Sequence, residues 1–127
     1  MPSIRPFVSV AVLAVSIFFS AVAQAHPKLV TSDPQANAQV ATPEKIELRF
    51  SESLVAQFSG AKLLMTGMAG MTHEPMTVAA QVSSSSDPKI MVIAPAKALT
   101  RGNYRVEWRA VSSDTHPITG NFNFSVK

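Results

Sequence analysis

The sequence predicts an all-β fold, namely an antiparallel Greek-key β-sandwich or β-barrel of about seven strands. Residues 45–50, 104–110 and 121–126 each alternate polar and apolar side chains with a period of two. Strands that bury one face show this pattern. After residue 25, no stretch of the sequence carries a helical apolar stripe over three turns, and turn residues separate the alternating segments. Short strands punctuated in this way favour a sandwich or barrel over a helical fold.

The chain begins with a segment typical of exported proteins. Arg5 gives a positive start, residues 8–22 form an apolar run broken only by serines, and Ala23-Gln24-Ala25 matches a cleavage signal. A transmembrane helix is the alternative, but a bilayer needs about 20 apolar residues and no basic flank follows this run. We therefore predict a signal peptide at residues 1–25. The mature domain would span residues 26–127, reside in the periplasm and not be embedded in a membrane.

Shorter strands are predicted between the three long ones, near residues 28–32, 61–66, 77–82 and 89–93. Turn-forming pairs separate them, among them Asp33-Pro34, Thr42-Pro43, Ser59-Gly60 and Asp87-Pro88. One phase of the alternation should build the core. The predicted core residues are Leu29, Ile46, Leu48, Phe50, Leu63, Val92, Tyr104, Val106, Trp108, Phe122 and Phe124.

Composition restricts the chemistry that is available to the domain. The sequence has no cysteine, so a metal site must be built from histidine, methionine, carboxylates and the terminal amine. The formal net charge is only +3, and the charged residues alternate in sign without forming runs. This pattern lacks the basic patch of a nucleic-acid-binding protein.

His26 would become the N-terminal residue after cleavage. Its α-amine and its ring nitrogen can then chelate one metal ion, and both are nitrogen donors that suit Cu(II). Pro27 has no N–H, so the chelate cannot extend to the next backbone nitrogen and needs further ligands from the fold. The alternative is an incidental residue that follows a cleavage site.

Asp114 and His116 offer a carboxylate and a second imidazole. They are two residues apart, so in an extended chain they point to the same face. The alternative is a polar turn in which Asp114 accepts backbone hydrogen bonds. Glu52, which follows the alternating segment at residues 45–50, is a further candidate in an outer position.

Residues 65–76 contain four of the six methionines together with His73. Thioether sulfur is a soft donor that suits Cu(I). Gly67, Gly70 and Pro75 oppose a helix and predict an irregular loop. The alternatives are a methionine stripe that packs in a core and a mobile apolar loop that binds partners. The candidate Cu(I) ligands are His73 and the four methionines, Met65, Met68, Met71 and Met76.

These segments resemble the CopC family of periplasmic copper-resistance proteins, also called PcoC. The resemblance covers essentially the whole mature chain and is carried by residues 26–29, 46–52, 58–62, the methionine segment and 108–120. It implies a small Greek-key β-barrel of cupredoxin-like or immunoglobulin-like form. It also implies two copper sites. The Cu(II) site would use the terminal amine, His26, Asp114 and His116 with Glu52 nearby, and the Cu(I) site would draw on Met65, Met68, Met71, His73 and Met76.

The resemblance further implies a copper carrier that is not an enzyme. Its implied partners are an inner-membrane copper-import protein and a periplasmic multicopper oxidase. Two alternatives stay open at this point. An N-terminal histidine brace, formed by His26 and His116, is also how copper monooxygenases that oxidise polysaccharides hold their metal. The domain would otherwise be an interaction module that happens to contain methionines.

Overall fold

The computed structural model describes residues 26–68 and 70–127, so the predicted signal peptide lies outside the described residues. The described chain forms nine strands and one 3-10 turn at Ala56–Phe58. The strands are β1 (Leu29–Asp33), β2 (Gln39–Val40), β3 (Ile46–Phe50), β4 (Gly60–Met68), β5 (Met71–Val78), β6 (Ala80–Ser84), β7 (Ile90–Pro95), β8 (Gly102–Val111) and β9 (Pro117–Val126). Within this part of the chain, no helix has the length and hydrophobicity needed to cross a bilayer.

The strands form two sheets that pack as a Greek-key sandwich. One sheet has the order β1-β3-β7-β6 and the other has the order β2-β9-β8-β4-β5. Neighbouring strands are antiparallel except for the short parallel pair of β2 and β9. The chain changes sheets five times, namely from β1 to β2, from β2 to β3, from β3 to β4, from β5 to β6 and from β7 to β8. The predicted all-β class is confirmed, with nine strands where about seven are expected.

Two predicted elements are wrong. The single strand expected at residues 77–82 is the junction of β5, which ends at Val78, and β6, which begins at Ala80 in the other sheet. No proline or glycine marks this change of sheet, so the sequence predicts one continuous strand across it. The irregular loop expected at residues 65–76 is a β-hairpin of β4 and β5. The glycines and the proline do oppose a helix, but an edge strand such as β5 tolerates proline and a tight turn favours glycine.

The core lies between the two sheets and has the predicted composition, except that different residues of β7 face inward. Strand β8 contributes Tyr104, Val106 and Trp108, which are at most 9% exposed. In β7, however, Met91 and Ile93 are buried and Val92 is only half-buried. The residues of β7 are apolar without interruption, so their sequence does not reveal which phase faces inward. The other predicted core residues are buried, except that Leu29 is half-buried against the edge of the core.

Candidate metal sites

Three of the predicted ligands lie together at one end of the sandwich. Nδ1 of His26 lies 2.9 Å from Oδ2 of Asp114, and Nδ1 of His116 lies 3.7 Å from the same oxygen. One candidate donor atom from each residue lies within 4.8 Å of the others. The two imidazole centroids are 5.8 Å apart. We call these three residues the imidazole–carboxylate cluster. Two nitrogens and one oxygen that converge in this way form a donor set that suits a borderline or hard transition-metal ion.

The start of the domain holds His26 in place. Pro27 is fully buried, which fixes the chain immediately after the histidine. The N–H of Ser51 donates to the carbonyl of Lys28 at 2.8 Å, and the N–H of Lys28 donates to Oγ of Ser51 at 2.9 Å. These contacts attach the chain to the end of β3. The His26 side chain itself stays 47% exposed, so it is both anchored and accessible.

A tight turn after β8 positions the other two members of the cluster. The buried hydroxyl of Ser112 and the backbone N–H of His116 both donate to Oδ1 of Asp114, each at 3.2 Å. The N–H of Thr115 donates to the carbonyl of Ser112 at 3.0 Å. Oδ1 therefore closes the turn, while Oδ2 faces the imidazoles. The interpretations of Asp114 as a metal ligand and as a turn residue are compatible, because Oδ1 accepts the hydrogen bonds of the turn and Oδ2 is directed at the imidazoles.

The extended-chain argument for Asp114 and His116 is wrong in its premise. Thr115, which separates them, has a φ of 64°, in the left-handed region. Extended backbone therefore does not bring the two side chains to one side; a turn does. A β-branched residue is rarely found in this conformation, which costs about 1–2 kcal/mol.

The environment of Asp114 keeps its carboxyl ionised. Partial desolvation opposes ionisation, but the hydrogen bonds from His116 and Ser112 and the charges of the two imidazoles outweigh it, and the pKa of Asp114 lies below its ordinary value. The side chain is 19% exposed. A carboxylate that is ionised and already oriented is suited to attract a cation.

Glu52 is not a member of the imidazole–carboxylate cluster. It follows β3 and is half-buried, but its carboxylate is not among the three donor groups that converge in the described residues. Its expected role near the site stays a prediction. Ser112 and Thr115, in contrast, were not predicted from the sequence. A serine two residues before an aspartate gives little signal, because short polar runs are common in turns.

The methionines lie on the β4–β5 hairpin in two cross-strand pairs. Met65 lies opposite Met76, and Met68 lies opposite Met71. Residues directly opposite each other on antiparallel strands point to the same face of the sheet. Met65 and Met68 are three apart, however, and an odd spacing on a regular strand would place them on opposite faces.

A β-bulge at Thr66 corrects this odd spacing. From Met65 to Gly67 the chain advances two residues, while the partner strand β8 advances only one, from Tyr104 to Asn103. Thr66 is therefore the extra residue of a bulge, which shifts the alternation of side chains after it. Met68 consequently shares a face with Met65, and their cross-strand partners Met71 and Met76 lie on the same face. We call the side chains of Met65, Met68, Met71 and Met76 the methionine face.

The members of the methionine face differ in exposure. Met68, Met71 and Met76 are 55%, 70% and 61% exposed, which is unusual for large apolar side chains. Met65 is half-buried and packs against the core. A Cβ atom on Gly102 would lie 2.7 Å from Cε of Met65, so this glycine makes room for the methionine. Three thioethers are open to solvent and one closes the end of the core.

His73 lies in the irregular part of β5. His73, Glu74 and Pro75 together face the single residue Thr66 across the hairpin. Nδ1 of His73 lies 2.7 Å from the carbonyl oxygen of Glu74. A carbonyl oxygen only accepts, so this contact places the proton on Nδ1 and leaves the lone pair of Nε2 available to a metal.

The two groups of candidate ligands are at opposite ends of β8. Met65 pairs with Tyr104 near the beginning of the strand, and Val111 ends it and leads into the turn of Asp114. At a rise of roughly 3.3 Å per residue, the strand between Tyr104 and Val111 spans on the order of 20 Å. The imidazole–carboxylate cluster and the methionine face therefore cannot bind the same ion.

Comparison with known proteins shows close relatives over almost the entire described chain. Residues 29–127 match the CopC domain family. Copper resistance protein C of Pseudomonas syringae pv. tomato is 62% identical over 118 residues, which cover 93% of this chain and 94% of the relative. Copper resistance protein C of Escherichia coli is 61% identical over 116 residues, which cover 91% of this chain and 90% of the relative.

Solved structures show the same fold. PcoC from Escherichia coli, described as a methionine-rich copper resistance protein, has a TM-score of 0.77 and 63% identity, and the match covers 81% of this chain and all 100% of that chain. CopC from Methylosinus trichosporium OB3b has a TM-score of 0.64 and 27% identity, with 80% of this chain and 94% of that chain covered. The sandwich and its sequence thus agree with the same group of proteins.

Proposed function

This chain belongs to the CopC family, and from that premise we propose that it is a periplasmic copper carrier that binds Cu(II) and Cu(I) at separate sites. One observation carries the proposal. Two imidazoles and a carboxylate converge within 4.8 Å at one end of a strand whose other end bears the methionine face. The donor types differ in hardness, as the two oxidation states of copper require. Close relatives named copper resistance proteins support the choice of metal.

The imidazole–carboxylate cluster is the proposed Cu(II) site. Cleavage after Ala25 would free the α-amine of His26 beside a ring nitrogen that already lies 2.9 Å from Asp114. The amine, the two imidazoles and Oδ2 of Asp114 would then supply three nitrogens and one oxygen. Four donors of this kind suit the tetragonal geometry of Cu(II). Glu52 is assigned an outer position beside this site.

The methionine face together with His73 is the proposed Cu(I) site. Thioethers bind Cu(I) in preference to harder ions, and the three exposed methionines are accessible without any opening of the fold. His73 would add Nε2 as a nitrogen donor, because its Nδ1 is engaged with Glu74. Half-buried Met65 is the member of the set that combines possible ligation with a role in packing.

Exposed ligands suit a protein that gives up its metal. His116 is 73% exposed and Met71 is 70% exposed, so a partner can replace them one ligand at a time. The distance between the sites means that each would exchange copper with a partner of its own. We propose an inner-membrane copper-import protein and a periplasmic multicopper oxidase for these roles.

Catalysis by a histidine brace is the second candidate, and the closeness of the His26 and His116 rings favours it. Oδ2 of Asp114 contacts both imidazoles, however, and would occupy a coordination position that oxygen needs. The arrangement of these ligands therefore suits a copper carrier better than a copper monooxygenase. Oxidation of a polysaccharide by the copper-loaded protein and a reductant, above a free-copper control, would reverse this choice.

The direct test is a pair of titrations of the mature protein with its native N-terminus. Cu(I) is added without oxygen in one titration, and Cu(II) is added in air in the other. We expect one ion of each kind to bind, and we expect Cu(I)-loaded protein to bind Cu(II) with unchanged affinity. Competition between the two ions for one site would contradict the proposal.

A further inference from the structure

The mature methionines of this chain fall into distinct classes of accessibility. Met68, Met71 and Met76 are at least 55% exposed, whereas Met91 in β7 is 3% exposed. We propose that the methionine face is a reversible oxidation switch that releases Cu(I) when the exposed thioethers react with peroxide-type oxidants. The copper-release part of this proposal rests on the proposed Cu(I) site, and the oxidation part does not.

The chemical step is a two-electron oxidation of sulfur. The thioether lone pair attacks one oxygen of hydrogen peroxide, an S–O bond forms and the O–O bond breaks. The sulfur becomes a sulfoxide, the peroxide is reduced, and its other oxygen leaves as water. The reaction is reversed by methionine sulfoxide reductases, with thiols as the source of electrons.

Burial determines which methionines react. Peroxide must reach the sulfur, so the three exposed side chains should react first and Met91, which lies inside the core, should react last. Met65 is half-buried and packs beside Gly102, which places it between these extremes. The bulge at Thr66 matters here, because it gathers the exposed sulfurs on one face of the sheet.

Oxidation would change the site without unfolding the domain. A sulfoxide presents a polar oxygen instead of a soft thioether, and Cu(I) prefers the thioether. The three exposed side chains are not part of the buried core, so their oxidation costs the sandwich little. The imidazole–carboxylate cluster contains no sulfur and lies at the far end of β8, on the order of 20 Å away. Cu(II) binding should therefore persist.

The experiment uses metal-free mature protein with its native N-terminus, treated with hydrogen peroxide in the presence of a chelator. Peptide mass mapping gives the extent of oxidation at each methionine over time. Competition with chromophoric chelators gives the affinities for Cu(I) and Cu(II). We expect early oxidation of Met68, Met71 and Met76, with Met91 spared. Cu(I) affinity should fall by more than the 10- to 100-fold that is typical for loss of a residue that orients a metal ligand, and Cu(II) affinity should stay unchanged. Treatment with two methionine sulfoxide reductases, one for each sulfoxide epimer, should restore Cu(I) binding.

Two results would overturn the switch but leave the proposed Cu(I) site intact. One is oxidation of Met91 as fast as Met71, and the other is unchanged Cu(I) affinity after full oxidation of the exposed three. Met91→Leu is the matched control, because it removes the buried methionine and no proposed ligand, and its Cu(I) affinity should fall on peroxide treatment as that of the wild type does. Untreated protein that fails to bind Cu(I) would refute the proposed function as well as the switch. Untreated and oxidised proteins that bind Cu(I) equally well would refute the switch alone.

Discussion

Nδ1 of His26 lies 2.9 Å from Oδ2 of Asp114, although His26 precedes the first strand and Asp114 follows the eighth. The fold thus brings together donors from two segments that are distant in the sequence. Because Oδ1 of Asp114 is held by Ser112 and His116, the oxygen that faces His26 is fixed. Preorganisation of this kind lowers the cost of ordering the ligands when an ion binds.

Extension of the mature N-terminus should weaken Cu(II) binding specifically. One extra residue before His26 turns its α-amine into an amide, which is a poorer ligand and carries a proton that must be lost. Cu(I) binding at the methionine face should be unaffected, because the two sites lie at opposite ends of β8. Parallel titrations of the native and the extended proteins measure this difference. Equal Cu(II) affinities would show that the amine is not a ligand.

Replacement of Ser112 by alanine should weaken Cu(II) binding without touching a proposed ligand. The change removes a donor to Oδ1 of Asp114 at 3.2 Å, so the carboxylate can rotate. We expect roughly a 10-fold loss of Cu(II) affinity, as for other contacts that orient a ligand, and an altered EPR spectrum of the bound ion. Ser113→Ala is the matched control, because Ser113 is exposed. Identical spectra for both variants would argue against this positioning role.

Substitution of Thr115 by glycine should stabilise the domain. Its φ of 64° costs a β-branched residue about 1–2 kcal/mol, which glycine does not pay. The greater conformational entropy of glycine in the unfolded chain offsets about 0.4–1 kcal/mol of this stabilisation. A net gain of up to about 1.6 kcal/mol in the free energy of unfolding is expected. Thr119→Gly, the same change within β9, should destabilise instead. Urea denaturation of both variants distinguishes them, and equal signs would contradict the strain argument.

The depressed pKa of Asp114 predicts a stability that depends on pH. A carboxyl group whose pKa is lower in the folded state stabilises the fold above its unfolded pKa, near 3.8, and this contribution is lost as pH falls. The Asp114→Asn variant lacks the titration. Its difference from the wild type in free energy of unfolding, measured without metal, should therefore shrink as pH falls below about 4. A constant difference between pH 7 and pH 3 would show that the interactions of the charged form are negligible.

The sequence predicts the long strands well because each has one buried and one exposed face. Strands β3, β8 and β9 show this alternation, and Tyr104 and Phe124 are buried as expected. Strand β7 is apolar on both faces, so its inward phase is not encoded locally and Val92 was assigned wrongly. The change of sheet after Val78 also leaves no local signal, because long-range pairing determines it.

The candidate site residues can be named from the sequence, but their arrangement cannot be predicted in full. The convergence of His26 with Asp114 depends on packing of distant segments, which no spacing in the sequence reports. The bulge at Thr66 did leave a trace, namely the odd spacing of Met65 and Met68. Two residues three apart on a strand lie on opposite faces unless a bulge separates them. Only the register with β8 shows that a bulge is present here.

Alanine at Gly67 should disrupt the methionine hairpin, whereas alanine at Gly60 should not. A Cβ atom on Gly67 would clash with the backbone oxygen of Met71, and no rotamer change can relieve a clash with the backbone. The two strands of the hairpin must therefore separate, which pulls Met68 away from its partner and lowers Cu(I) affinity. A Cβ atom on Gly60, in the same strand, meets nothing within 4 Å. Because the hairpin lies at the sheet edge, Gly67→Ala should lower Cu(I) affinity strongly and the melting temperature only slightly. Equal Cu(I) affinities for the two variants would show that the close approach at Gly67 does not position the methionine face.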